Sequence, residues 1–391
     1  MYMYERISII YSLNIRTRGR CVTVEPRKIQ RVGSSTLAVS LPSEWVKDTG
    51  LKKGDLIYFE EGEDASLKLV TKTGIEREKP METVEVYADL CSDPMMLSRI
   101  LVGNYILGRD VVKIVSKDRL TSEYVDAIRS TLRGLMGIAI MEEAPNHVVL
   151  QSSIDVTQFP IHTLLRRLFI ITSTMYKEAV DSFFDSNLVL ARDTISRRKE
   201  ADTMFWVIVR LLDSAQRDKV TATKINIQNS MNVLWFRVAA HCLWGMANWA
   251  EKIANKVVAL GENRKLIGDL LLSEVRHISD EAFSISHKAM NSLFSNDIEL
   301  ATKTIQEYEA IQKTEEELQE KICSHAYLQG KSFSVTKYFR SKTPIEPCVI
   351  AQLSFILWSI RRRAELGSEI ADIAITKALS KQTKICNIAS E

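Results

Sequence analysis

The sequence predicts an α+β multidomain protein, with a small β-rich head, a small α/β middle unit and a C-terminal pair of three-helix bundles. Three observations predict it. Only 15 glycines and 8 prolines occur in 391 residues, which favours long helices. Residues 22–71 break that pattern with alternating apolar and polar positions and closely spaced turn signals. From Phe159 onward the chain repeats its own residue types 110 positions later.

Composition narrows the class further. Hydrophobic residues are 46% and charged residues 26%, as in folded globular chains and unlike disordered ones. The most apolar stretch, residues 161–175, carries Arg166 and Arg167 and is shorter than a ~20-residue span, so no membrane insertion is expected. The first twelve residues lack the apolar core and cleavage site of an export signal, and the chain reads as cytoplasmic. Its six cysteines form no C-x-x-C pair, so they are expected to be reduced and mostly buried. The net charge is only +3, but residues 16–53 hold nine Lys and Arg against Glu25, Glu44 and Asp48. Such a patch directs a surface toward polyanions even when the whole chain is near neutral.

The head is expected over residues 21–80. Residues 28–32 read as a strand, Gly33-Ser34-Ser35 as a turn and residues 36–41 as a half-buried strand. Pro42 then opens a helix of barely two turns, Ser43–Thr49, which Gly50 stops. Residues 56–61 and 66–71 read as a hairpin. Four short strands enclose too little core to stand alone, so the unit is expected to pair with a second copy.

The run Arg27-Lys28-Ile29-Gln30-Arg31-Val32-Gly33, with Ser40-Leu41-Pro42, Trp45 and Gly50-Leu51-Lys52-Lys53-Gly54-Asp55, resembles the SpoVT/AbrB swapped-hairpin domain. The resemblance implies an interlaced dimeric β-barrel that binds double-stranded DNA. It also implies that basic residues on and beside the first strand face the phosphates. Here these are Arg27, Lys28 and Arg31, with Arg18 and Arg20 on the approaching arm. Alternation along a strand places Arg27 and Arg31 on one face.

Residues 81–157 read as an α/β coupling unit. Thr83–Tyr87 is a strand, residues 94–107 a helix, residues 110–116 a strand and residues 121–132 a helix capped by Thr121. A hairpin through Pro145-Asn146 closes it. No glycine-rich phosphate loop and no catalytic constellation occur here.

The helical body divides into bundles over residues 158–262 and 263–391. Ala179, Ser182, Phe184, Leu190, Ala191, Thr194 and Ile195 return as Ala289, Ser292, Phe294, Leu300, Ala301, Thr304 and Ile305. A polar turn, Asp185-Ser186-Asn187 or Ser295-Asn296-Asp297, separates the first two helices of each copy, and a third helix follows. These repeats resemble PhoU. An AbrB-like head joined to PhoU-like repeats resembles the archaeal phosphate uptake regulators.

One departure from that family is expected to matter. PhoU repeats carry Glu-x-x-x-Asp near the third-helix end, a pair suited to hard metal ions. Here Trp244 and Asn248, or Arg361 and Glu365, stand in the corresponding places. No metal and no cofactor is therefore expected. Glu274 and His277 form one Glu-x-x-His without the second that a di-iron bundle needs. Trp235, Trp244, Trp249 and Trp358 read as packing residues. Arg361, Arg362 and Arg363 form a candidate anion-binding run, although adjacent residues point different ways around a helix. No histidine pairs with a nucleophile, and no enzyme is expected. The reading is a homodimeric DNA-binding regulator of phosphate homeostasis. By resemblance its other partners are components of the phosphate ABC transporter. The alternative is an adaptor on that transporter whose head only dimerises.

Overall fold

The computed structural model describes residues 27–33, 35–61, 66–71, 81–152, 156–227, 229–328, 338–340, 345–380, 383 and 386. These fall into two compact units that part between Pro80 and Met81.

In the head, β1 (Gln30–Val32) and β2 (Thr36–Ala38) form one antiparallel hairpin, and β3 (Ile57–Glu61) and β4 (Leu67–Thr71) form another. Between them lies α1 (Ser43–Thr49). Pro42 sits at its N-cap, and Gly50 ends it in the left-handed region at φ 68°. Both strands of the first hairpin are shorter than the alternation predicts. The register pairs Gln30 with Ala38 and stops there, so Lys28 and Ile29 have no strand opposite them. Among the described residues the two hairpins stay separate, and one chain closes no barrel. Among the described residues none of the head's apolar side chains is buried: Ile29, Val32, Leu37, Val39, Leu56, Phe59 and Leu67 are all exposed. An apolar surface of this kind is costly in water.

The second unit begins with an α/β layer. A four-stranded sheet runs in the order β5 (Thr83–Tyr87), β6 (Val111–Val115), β8 (His147–Ser152), β7 (Ile138–Ala144). Only β5 and β6 are parallel, so a crossover is required, and α2 (Pro94–Ile106) makes it. Asp93 caps α2 by accepting the Met96 N–H at 2.7 Å. Then α3 (Ser122–Leu132) packs beside α2. Thr121 stands at its N-cap position, but its side chain makes no capping bond. Leu97, Leu101, Val112, Ile114, Ile128 and Leu150 fill the core between helices and sheet.

The rest is helical. The helices α4 (Ile161–Phe184), α5 (Leu188–Arg217) and α7 (Ser230–Leu260) pack as one bundle, with short α6 (Lys219–Lys224) between the last two. The helices α8 (Asp269–Ser295), α9 (Ile298–Leu328) and α10 (Pro347–Leu379) pack as a second. The duplication extends to individual bonds. Ser182 and Ser292 each donate to the carbonyl three residues back, at 2.7 and 2.8 Å. Asn187 and Asp297 cap the second helices at 3.0 and 2.9 Å. Ser186 and Asn296 share a left-handed backbone at φ 54° and 56°. The Glu178–Arg197 ion pair of the first bundle becomes Lys288–Glu307 in the second, with the charges exchanged at the same two places.

The third helices join the bundles. Trp249 of α7 meets Trp358 of α10 edge-on, with ring centroids 4.7 Å apart. Gly245 lets α7 approach Leu366, whose side chain lies 3.0 Å from where a Cβ would stand. Trp244 instead packs inside the first bundle on Phe205, at 5.1 Å. Among the described residues, no helix is long and apolar enough to cross a membrane.

Candidate functional site

In the head, Arg27, Lys28 and Arg31 are exposed. Arg31 lies in β1 opposite Leu37, whereas Arg27 and Lys28 precede the strand. Strand alternation therefore governs Arg31 alone, and the shared face expected for Arg27 and Arg31 is not set by the sheet. The reason is that the ladder ends where β2 ends, at Ala38, so residues 27–29 lie outside it. Arg18 and Arg20 lie outside the described residues. Lys47, Lys52 and Lys53 add exposed positive charge on and after α1. The Asp55 carboxylate accepts the Lys52 N–H at 2.7 Å and holds the turn after α1.

In the body, Arg361, Arg362 and Arg363 go three ways. Arg361 pairs with the buried Glu315 of α9 at 3.3 Å. Arg362 pairs with Glu365 and lies over the Trp249 ring at 5.9 Å. Arg363 is 0% exposed and donates to the Thr172 carbonyl, Ser173 Oγ and Ser286 Oγ at 3.3, 3.2 and 3.0 Å. Its guanidinium stacks 4.4 Å from the Tyr176 ring centroid. Among the described residues no carboxylate bonds it, and burial pulls its pKa down to about 10, which leaves it charged at neutral pH. The structure thus brings no two of these arginines to a common point. Helical geometry rotates each residue by about 100° from the last, and each finds its own partner. Arg363 pins α10 to α4 and α8 instead.

The carboxylate places of the third helices are also occupied by polar contacts. Trp244 donates its indole N–H to Asp202 at 2.7 Å. Asn248 accepts from Arg198 at 2.7 Å, and Arg198 in turn pairs with Asp202 and Glu251. Glu274 and His277 diverge. Glu274 faces Lys321 and the Tyr338 hydroxyl, while His277 faces Glu281 at 3.4 Å. Of the described cysteines, Cys91 and Cys242 are buried, but Cys323, Cys348 and Cys386 are exposed, which corrects the expectation of mostly buried thiols.

The α/β unit is fastened to the first bundle through α5. Arg210, largely desolvated, donates to the Tyr105 carbonyl at 2.8 Å and to Ser152 Oγ at 3.1 Å. Arg217 donates to the Leu107 carbonyl at 2.6 Å, and the Tyr105 hydroxyl to the Met136 carbonyl at 2.8 Å. Burial pushes the Tyr105 pKa up to about 12, so its hydroxyl stays protonated as this bond requires. Beside this joint opens a cleft that includes Arg99, Arg133, Lys199 and Trp206. Sequence reading missed these four because they sit on three separate elements and share no spacing.

Comparison with known proteins bears on the two units separately. The profile of the family described as antidote-toxin recognition MazE, bacterial antitoxin, matches residues 30–77. The head is thus similar to that domain over those residues. The chain is also similar to the crystal structure of PhoU from Pseudomonas aeruginosa, at 14% identity and a TM-score of 0.43, over 55% of this chain and 93% of that one. No curated protein matches the chain. In outline the architecture follows the sequence: a head that matches this family model over residues 30–77, then an α/β layer and a duplicated helical body.

Proposed function

We propose that this chain is a homodimeric, cytoplasmic, DNA-binding regulator of phosphate homeostasis. The observation that carries the reading is the head. Its residues 30–77 match a MazE/AbrB-like domain, and none of its described apolar side chains is buried. Pairing two heads covers those side chains and doubles the exposed Arg27, Lys28 and Arg31 about a two-fold axis. Doubled cations on a rigid support neutralise several phosphates of a duplex and release their counterions. The phosphate assignment rests on the resemblance of the duplicated helices, and the α/β unit, bolted to α5, is the element through which the body's state reaches the rest of the chain.

The test is binding of the full-length protein to duplex fragments from upstream of phosphate-transport genes, against random duplex of equal length, at several salt concentrations. Selective binding is expected. Binding no better than generic polyanion attraction replaces this reading with the transporter adaptor, in which the head serves only to dimerise.

A further inference from the structure

The cleft between the α/β unit and the first bundle has a volume of about 570 Å3, within the range of small-molecule sites. Its apolar lining comes from three elements. Val102 and Ile106 belong to α2, Leu135 follows α3, and Trp206 belongs to α5. Arg99, Arg133 and Lys199 also line it, all exposed, and none of the three makes an ion pair among the described residues. The carboxylate in the lining, Asp202, is already engaged by Arg198 and by the Trp244 indole. The cleft is therefore apolar within and cationic at its charged groups, with its one acid neutralised.

Gly103 gives a second, independent indication. It lies inside α2, where glycine costs about 1 kcal/mol relative to alanine. Interior glycines are usually kept because a neighbour crowds them, as Leu366 crowds Gly245. At Gly103 a Cβ would meet nothing within 4 Å, and its backbone needs no left-handed conformation. What the missing side chain leaves open is the cleft itself.

We propose that this cleft binds a nucleoside phosphate, with the flat base against Trp206 and the bare helix wall at Gly103, and the phosphate on Arg99, Arg133 and Lys199. Trp206 supplies a stacking face for a planar ring. Two arginine forks and a lysine suit a multiply charged oxyanion better than a single carboxylate. Because α2, the end of α3 and α5 all contribute, an occupied cleft clamps the α/β unit to the first bundle. The inference goes beyond the DNA-binding reading and does not depend on it.

The test uses the full-length chain, with calorimetry and tryptophan fluorescence during titration of AMP, GMP, CMP and UMP. Adenosine and inorganic phosphate serve as separate probes. At least one monophosphate is expected to saturate below roughly 1 mM and to quench tryptophan emission. Adenosine and phosphate alone are expected to bind at least ~10-fold more weakly. Gly103→Leu fills the cleft with a good helix former. It should abolish binding while the thermal midpoint holds or rises. Arg99→Gln with Arg133→Gln should weaken binding at least ~10-fold and remove the preference for nucleotide over nucleoside. Failure of all four monophosphates to saturate overturns the proposal. So does a folded Gly103→Leu variant that binds as tightly as the parent, or adenosine binding as tightly as AMP.

Discussion

Leu37 and Phe59 lie on the two hairpins of the head, and each is 66% exposed. Fully burying a Leu or Phe side chain contributes about 1.5–3 kcal/mol, so covering the remaining two-thirds contributes about 1–2 kcal/mol for each. In a symmetric dimer every substitution removes the contact twice. Replacing Leu37 by Ser therefore weakens the dimer by about 2–4 kcal/mol, a rise in dissociation constant of roughly 30- to 1,000-fold. The combination with Phe59→Ser weakens it further, less than additively if the two side chains touch across the interface. Sedimentation equilibrium of the full-length chain across the micromolar range reads this directly. The parent chain is expected as a dimer, and the double variant as a monomer whose helical body keeps its circular dichroism. A parent chain that is monomeric with a folded head refutes the reasoning. A double variant that dimerises as tightly as the parent refutes it equally, because these side chains then cover nothing.

Three further outcomes follow from the body. Burial pushes the pKa of His287 below its ordinary value, with Arg363 adding repulsion, and burial followed by Lys377 and Arg166 does the same at His162. A lowered folded-state pKa means the unfolded chain takes up the proton first. Stability is then full above the ordinary value of 6.5 and lost as pH falls through it toward the folded-state values, so thermal midpoints should drop as pH falls below 6.5. His287→Leu should remove part of that drop; a midpoint that stays flat there contradicts the assignment. Gly367→Ala places a Cβ 3.0 Å from Ile285 and 3.3 Å from the Ser286 backbone, and should destabilise the body by about 1–3 kcal/mol in chemical denaturation despite alanine's better helix propensity. Unchanged stability of that variant shows that α8 and α10 have room to part.

The body was legible in the sequence because its signals are local. A serine that bonds three residues back and an Asn or Asp that caps the next helix each act within one turn. A repeat of 110 residues therefore carried over bond for bond. The strands of the α/β unit were legible for the same reason: Thr83–Tyr87 alternates with the sheet period and forms β5 as read. What depended on distant partners was not legible. The head's strands came out shorter because pairing needs an opposite strand, and β2 stops at Ala38. Arg363 reads as part of a candidate anion-binding run in the sequence, yet Ser173 and Ser286, far away along the chain, make it a buried pin. The exchanged pair Glu178–Arg197 and Lys288–Glu307 escaped notice because matching residue types hides a conserved contact of reversed sign. The cleft at Trp206 gathers residues from three elements, and no spacing rule links them.

The central claim is that the head grips duplex DNA through cations doubled by dimerisation, and the salt dependence of binding tests it most directly. The affinity of the full-length protein for a promoter duplex, followed by fluorescence anisotropy over a range of salt, gives the number of phosphates neutralised. Arg27→Ala with Arg31→Ala removes up to four cations per dimer, so the slope of log affinity against log salt should flatten by about 3–4, at roughly 0.9 per lost phosphate contact. The dimer and the helical body should be unchanged, since exposed cations contribute little to folding. A variant that keeps both the affinity and the slope of the parent contradicts the account.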